Sequence, residues 1–163
     1  MQKAIMTTIH ADTASNSIVD SPSKKNFRMG RSGLNNLIPT TTGAAIATTR
    51  ALPFYAGKFD GMAVRVPLAV GSLSDITILT EKATSVAEIN QILSEEAATA
   101  RYQRVLAVTN DPLVSSDVIK SPYAAIADLS MTKVVDGDLI KVLAWYDNEW
   151  GFTNQMIRQI LEL

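Results

Sequence analysis

Hydrophobic positions in this chain fall in short runs whose period switches between two and about 3.6, the signature of strands interleaved with a few helices. Met6-Thr7-Thr8-Ile9-His10 alternates at period two, which puts Met6, Thr8 and His10 on one face and Thr7 and Ile9 on the other, with His10 at the strand's exit. Asp12 to Asn36 carries serines, asparagines, lysines and glycines without sustained periodicity, so it reads as a long irregular loop. Loops of that length are either functional or disordered. Phe27, Ile18 and Val19 are the residues that could pin it down; a solvated excursion is the alternative.

The hydroxyl run Thr40-Thr41-Thr42 precedes a helix-forming stretch that Pro53 ends, with Thr42 or its neighbour as the cap. Strands are predicted at Met62–Pro67, Ser74–Thr80 and Val105–Val108, with Thr109–Tyr123 as a connection. Ser85-Val86-Ala87-Glu88 has capping-box spacing ahead of a helix with Ile89, Ile92, Leu93 and Ala97 on its apolar side. Ala124–Leu129 and Met131–Val135 follow as strands, and Asp136-Gly137 is a tight-turn signal leading into Leu139–Tyr146, whose nearly continuous apolar character marks a central strand. Gly151–Leu163 closes the chain as a helix. Strands joined mostly by turns, with helices set apart, predict an α+β fold: a mostly antiparallel or mixed sheet with helices on one face.

Composition narrows the function. The 163 residues suffice for one core and too few for two full domains, and no run is long enough to cross a membrane. Fifteen basic residues against sixteen acidic ones leave a net charge of −1, and no basic block is interleaved with aromatics, so nucleic acid has no electrostatic footprint here. Small-molecule chemistry or protein contact is left. The absence of cysteine excludes disulfides, thiolate metal sites and a cysteine nucleophile within these residues, and no metal site is expected. The opening Met-Gln-Lys-Ala has no export pattern, which points to the cytoplasm.

Three places offer chemistry. His10, the chain's one histidine, is either a hydrogen-bonded structural residue at a strand end or a general acid–base. The start of the helix after Thr42 and Gly43 is a plain cap or an anion site, since free N–H groups and the helix dipole both favour negative charge. Arg65, a cation among apolar residues, needs a partner: a buried carboxylate, or a substrate phosphate held by the guanidinium fork.

In chain order, Thr7-Thr8-Ile9-His10-Ala11, the arginine-bearing polar loop, Ile38–Ala45, Gly61–Pro67, Leu113–Asp117 and Trp145–Phe152 resemble the C-terminal catalytic domain of the glyceraldehyde-3-phosphate dehydrogenase family, over nearly the whole chain from about Met6. One such motif would be weak; the series is specific. The resemblance implies a mostly antiparallel sheet with helices on one side and a long S-shaped loop approaching a neighbouring subunit's cofactor. It implies that His10 is the catalytic histidine, which takes the proton of a nucleophilic cysteine and assists hydride transfer. Thr13, Thr42 and Gly43 match residues that hold inorganic phosphate or the substrate phosphate, Arg65 belongs to the substrate-phosphate site, and Arg31 aligns with a loop arginine near the anion sites. Asn148 matches the residue that hydrogen-bonds the nicotinamide carboxamide of NAD or NADP.

The implied substrates are glyceraldehyde 3-phosphate and inorganic phosphate, with erythrose 4-phosphate as the sibling reading. Asp12, Leu68 and Phe152 depart from residues common in the family, and Asp12 adds negative charge close to a proposed anion site. No glycine-rich strand-to-helix fingerprint of the Rossmann type occurs in these residues. The expectation is therefore a C-terminal catalytic domain spanning residues 1–163, without its N-terminal Rossmann half and incompetent alone. A non-enzymatic assembly or interaction domain is the alternative. Phe27, Leu34, Leu37 and the strand around Trp145 predict a homo-oligomer, dimer or tetramer.

Overall fold

The computed structural model describes residues 1–24 and 26–162; Lys25 of the long loop and Leu163 of the expected last helix lie outside the described residues. The strands are β1 (Lys3–Ala11), β2 (Ile38–Thr41), β3 (Phe59–Val66), β4 (Ser72–Leu79), β5 (Leu106–Thr109), β6 (Ala125–Val135) and β7 (Leu139–Tyr146), and the α-helices are α1 (Ala44–Ala51), α2 (Val86–Ala98) and α3 (Trp150–Leu161). One sheet holds the seven strands in the order β2-β3-β1-β4-β7-β6-β5. β1/β3 and β5/β6 are parallel and the other pairs antiparallel, so the sheet is mixed and the fold is α+β, as the pattern predicted. The parallel β1/β3 pair places the exits of both strands, His10 and Arg65, side by side.

Period-two alternation organises the core across the sheet as well as along each strand. Thr40, Ala63, Thr8, Ser74, Ala144, Ala127 and Val108 pair in register from one edge to the other, so they form one row on one face. Ala63, Thr8 and Ala127 of that row are buried, as are Met6 and Ile140 on the same face. Ile5, Leu139 and Val135 on the opposite face are 60, 40 and 59 % exposed. Burial this uneven is what a sheet covered on one side produces.

Several local expectations change. The Ile38–Thr41 stretch, read as a prelude to the helix, is a short edge strand that tolerates Pro39 because an edge needs no donor on its outer side. The two strands expected around Ser130 are one, β6, whose pairing with β7 shifts between Asp128 and Lys133. Five steps on β6 match two on β7 there, so the alternation slips and Ala127, Asp128 and Leu129 are buried in succession. That slip made one strand look like two. In α2 the covered stripe is Ile89, Asn90, Leu93, Ser94 and Ala97, while Ile92 is 48 % exposed and stands off it. Ser85 Oγ accepts from Glu88 N–H as expected, but the Glu88 carboxylate takes the Thr84 hydroxyl.

Phe27, Ile18 and Val19 do not pin the loop: they are 96, 69 and 68 % exposed. It is held by buried Met29 and by polar closure, with Asp20 accepting from Ser32 N–H and Arg31 Nε, and Ser32 Oγ donating to Ile18 O. Asp136 and Gly137, at φ 50° and 76°, make the tight turn between β6 and β7 that the Asp-Gly pair signalled.

Candidate functional site

His10 is delivered by β1, where β-branched and apolar residues favour extended backbone, to a place where three strands meet. Arg65 is its register partner on β3, and Tyr146 of β7 turns an aromatic edge toward it, with ring centroids 6.1 Å apart and planes at 77°. The Tyr146 hydroxyl lies 2.7 Å from Thr8 Oγ1, which fixes the ring two residues behind the imidazole on the same face. His10 Nδ1 lies 2.7 Å from Ala11 O and in direct contact with Arg65 Nη1, which also donates to Ala11 O at 3.0 Å. Burial holds the imidazole below its ordinary 6.5; the Ala11 carbonyl opposes this, and the Arg65 charge adds to it.

Among the described residues Arg65 does not have the buried carboxylate that was one of its two expected partners. No carboxylate pairs with it; its Nη1 rests on His10 and a carbonyl, and its Nε is buried without a hydrogen-bond partner. A guanidinium so held has donors to spare for an anion.

Asn148 follows β7 after Asp147 and is oriented by two donors. Gly71 N–H and Ser72 Oγ–H both reach Asn148 Oδ1 at 3.2 Å, and because a backbone N–H only donates, the side-chain oxygen must face inward and Nδ2 outward. Ser72 is buried and accepts from Ala11 N–H at 3.2 Å, so one hydroxyl links the residue after His10 to Asn148. Asp147 is 3 % exposed and accepts from Lys120, Glu149 and Trp150 N–H, capping α3 immediately beyond the site.

The other predicted site residues are placed differently. Thr13 lies three residues past His10, its hydroxyl 2.8 Å from Ser15 Oγ. Arg31 Nε donates to Asp20 Oδ2 at 3.1 Å, an exposed pair within the loop. Thr42 and Gly43 open α1, where Thr42 Oγ1 accepts from Ala44 N–H and the space beside Gly43 is open. Arg65 pairs with Ile38 at one end of β2, whereas Thr41 pairs with Met62, which sets Thr42 about four residues, or roughly 13 Å, along the strand from Arg65. The fold thus brings together His10, Arg65, Tyr146, Ser72 and Asn148, with Thr13 nearby in sequence. Thr42 and Gly43 stand apart from them along β2, and Arg31 is paired with Asp20 in the loop.

Asp12 is tucked into the loop. A Cβ at Gly33 would stand 1.8 Å from Asp12 Oδ2, so the missing side chain at 33 makes room for the carboxylate. A cleft of about 600 Å³ lies elsewhere, between α3 and the segments around Arg104 and Tyr123. Size alone would favour it. It holds no histidine and no residue of the His10 cluster, so the cluster is the stronger candidate. Sequence reasoning missed Tyr146, Ser72 and Thr8 because each matters through a contact spanning more than sixty residues. The only available signal was that Thr8 and His10 share a face.

A histidine and an arginine thus stand side by side at the ends of parallel strands, with an outward-facing carboxamide linked to them through Ser72. The family description "Glyceraldehyde 3-phosphate dehydrogenase, C-terminal domain" matches residues 1–148, and the chain belongs to that family. It is 43 % identical over 155 residues to glyceraldehyde-3-phosphate dehydrogenase 2 of Streptomyces avermitilis, covering 95 % of this chain and 46 % of that protein. The match to glyceraldehyde-3-phosphate dehydrogenase of Bacteroides fragilis is 44 % over 154 residues, 94 % of this chain and 46 % of the relative. That of Haloarcula vallismortis is 43 % identical over 152 residues, 93 % and 44 %. The chain therefore spans less than half the length of these relatives. Among the described residues no helix is long and apolar enough to cross a membrane.

Proposed function

We propose that this chain supplies the acid–base and phosphate-holding part of a phosphorylating aldehyde dehydrogenase that acts on glyceraldehyde 3-phosphate and inorganic phosphate in the cytoplasm. The observation that carries the reading is the pairing of His10 with Arg65 across β1 and β3, in a chain of this family. Neutral at ordinary pH because burial lowers its basicity, His10 is suited to take a proton from a nucleophile and return it. Arg65, whose Nε has no partner among the described residues, holds the substrate phosphate, and Thr13 is assigned to the same phosphate-holding role. Thr42 and Gly43 serve the attacking inorganic phosphate at the start of α1, and Arg31 serves the same anions once released from Asp20.

The outward Nδ2–H of Asn148 fits the carboxamide oxygen of a nicotinamide, because Gly71 and Ser72 have fixed which end of the side chain is the donor. NAD or NADP, when bound, supplies the hydride acceptor. Everything else about that group must come from outside these residues, since the chain has neither a cysteine nor a dinucleotide fingerprint. The proposed partner is an N-terminal Rossmann half carrying the thiol, within a homo-oligomer.

Expression of this chain in frame behind the N-terminal half of the Streptomyces avermitilis relative tests the reading. NADH formation from glyceraldehyde 3-phosphate and phosphate is expected from the fusion and not from the chain alone, with His10→Ala lowering turnover about 100-fold or more. A folded fusion that binds NAD yet shows equal activity with and without His10 would defeat the assignment. Turnover by the purified chain alone would defeat the proposed division of labour.

A further inference from the structure

The contact between Arg65 and His10 involves three groups whose hydrogen bonds depend on where the ring proton sits. His10 Nδ1 faces the Ala11 carbonyl, an acceptor, and Arg65 Nη1, a donor that keeps its protons in proteins. A protonated Nδ1 can donate to Ala11 O but must then repel Arg65. A bare Nδ1 accepts from Arg65, which also donates to Ala11 O and so bridges the two acceptors. The position of the guanidinium therefore decides where the ring proton sits. Other groups around the imidazole do not compete: among the described residues Tyr146 presents an aromatic edge with its hydroxyl on Thr8, Ser72 is committed to Ala11 N–H and Asn148, and no carboxylate is paired with either His10 or Arg65.

We propose that Arg65 is a positioning residue that selects the tautomer of His10, and that an anion drawing Arg65 away moves the ring proton from Nε2 to Nδ1. With Arg65 in place, Nδ1 carries a lone pair and Nε2 a proton, so the nitrogen without a partner among the described residues is a donor and no base. When phosphate engages the guanidinium, Nδ1 takes up a proton from water and donates it to Ala11 O. Nε2 releases its own proton to water and becomes a free lone pair, with no net change in protonation. The carbonyl that orients the ring is thus present before the ligand arrives, and arrival switches His10 into its basic form. Buried and unpartnered, Nε of Arg65 supplies the second donor that makes an anion a better partner than the imidazole. The anion-driven half of this proposal rests on the assignment of Arg65 to a phosphate; the selection of the tautomer does not.

His10 is the one histidine in the chain, so its two ring nitrogens can be followed without overlap in ¹⁵N-labelled protein by long-range ¹H–¹⁵N correlation. The free protein is expected to show a pyridine-like Nδ1 and a pyrrole-like Nε2. Saturation with inorganic phosphate should exchange the two signatures, as should sulfate, which carries the same geometry and does not titrate near neutral pH. Arg65→Met, close in length and uncharged, should show the protonated Nδ1 without any anion, and Arg65→Lys should restore part of the free wild-type pattern. A protonated Nδ1 in the free wild type, or the same tautomer in wild type and a folded Arg65→Met, overturns the proposal. Should Arg65→Met change the tautomer while phosphate perturbs no resonance, the anion-driven half and the phosphate assignment both fall, and the positioning role stands. Phosphate that shifts resonances around Arg65 with His10 unmoved leaves that assignment in place and removes the switch.

Discussion

Single side chains at this site act through their neighbours, and Ser72 makes the point. Its hydroxyl is the acceptor for Ala11 N–H, which is fully buried, and the donor to Asn148. Ser72→Ala leaves that N–H without a partner and should cost about 1–3 kcal/mol in urea denaturation. The same change frees one side of the Asn148 carboxamide, so its Nδ2 proton resonances should broaden, an effect that a purely structural hydroxyl would not produce. His10 adds a pH dependence whose sign follows from its depressed proton affinity. The folded chain resists protonation more than the unfolded one, so the group's contribution to stability is complete above its ordinary 6.5 and is lost as pH falls through the lower folded value. Wild type should lose stability relative to His10→Gln as pH falls below the ordinary 6.5; parallel curves would show that the imidazole is not disfavoured as a cation. At this scale the sequence was legible where a residue type had few alternatives. His10, Arg65 and Asn148 could be named from motifs, whereas Tyr146 and Ser72 are ordinary residues until strand pairing brings them beside the imidazole.

Among the elements, boundaries were readable wherever a local conformation demanded a particular residue. Asp136-Gly137 announced the β6–β7 turn, and Ser85 announced the start of α2. β2 and the slip in β6 were hidden because the first is only four residues long with a proline in it, and the second depends on its partner strand. Two positions, one in the first turn of α3 and one in the β5–β6 connection, make the energetics testable. Gly151 sits where a Cβ would come within 2.4 Å of Tyr123 O, a backbone atom that cannot swing aside. Gly151→Ala should therefore destabilise by about 1–3 kcal/mol, although alanine is the better helix former. Lys120 is held at φ 65° with its N–H on Asp147, a conformation that costs a side-chain-bearing residue roughly 1–2 kcal/mol. Lys120→Gly removes that strain, at an entropic cost of about 0.5–1 kcal/mol, and should leave the protein equal or slightly more stable in thermal melts. A drop beyond about 1 kcal/mol would mean that the lysine side chain itself contributes to holding the loop.

Over the whole molecule, apolar surface is left exposed in several places. Among the regions that expose large apolar side chains are the loop with Phe27, Leu34 and Leu37 at 96, 64 and 71 %, the open sheet face with Ile5, Val135 and Leu139, and α3 with Phe152, Ile160 and Leu161 at 67, 61 and 81 %. Scattered single exposures need no explanation, but an amphipathic helix showing its apolar side together with a half-covered sheet does. On the function proposed above, these surfaces would meet an N-terminal half and further copies of the chain. Only the second kind of contact is available to this polypeptide by itself. Sedimentation velocity should therefore show association that rises with concentration, and the regions should differ in their response to change. Ile5→Ser with Val135→Ser, on the sheet face, should shift the distribution toward monomer, because a flat apolar face can pair with its own copy around a two-fold axis. Phe152→Ser with Leu161→Ser should leave that equilibrium in place while weakening capture by the N-terminal half of a relative. A concentration-independent monomer would remove the sheet face from the proposed assembly, and loss of self-association on changing α3 alone would assign the helix, not the sheet, to contacts between copies.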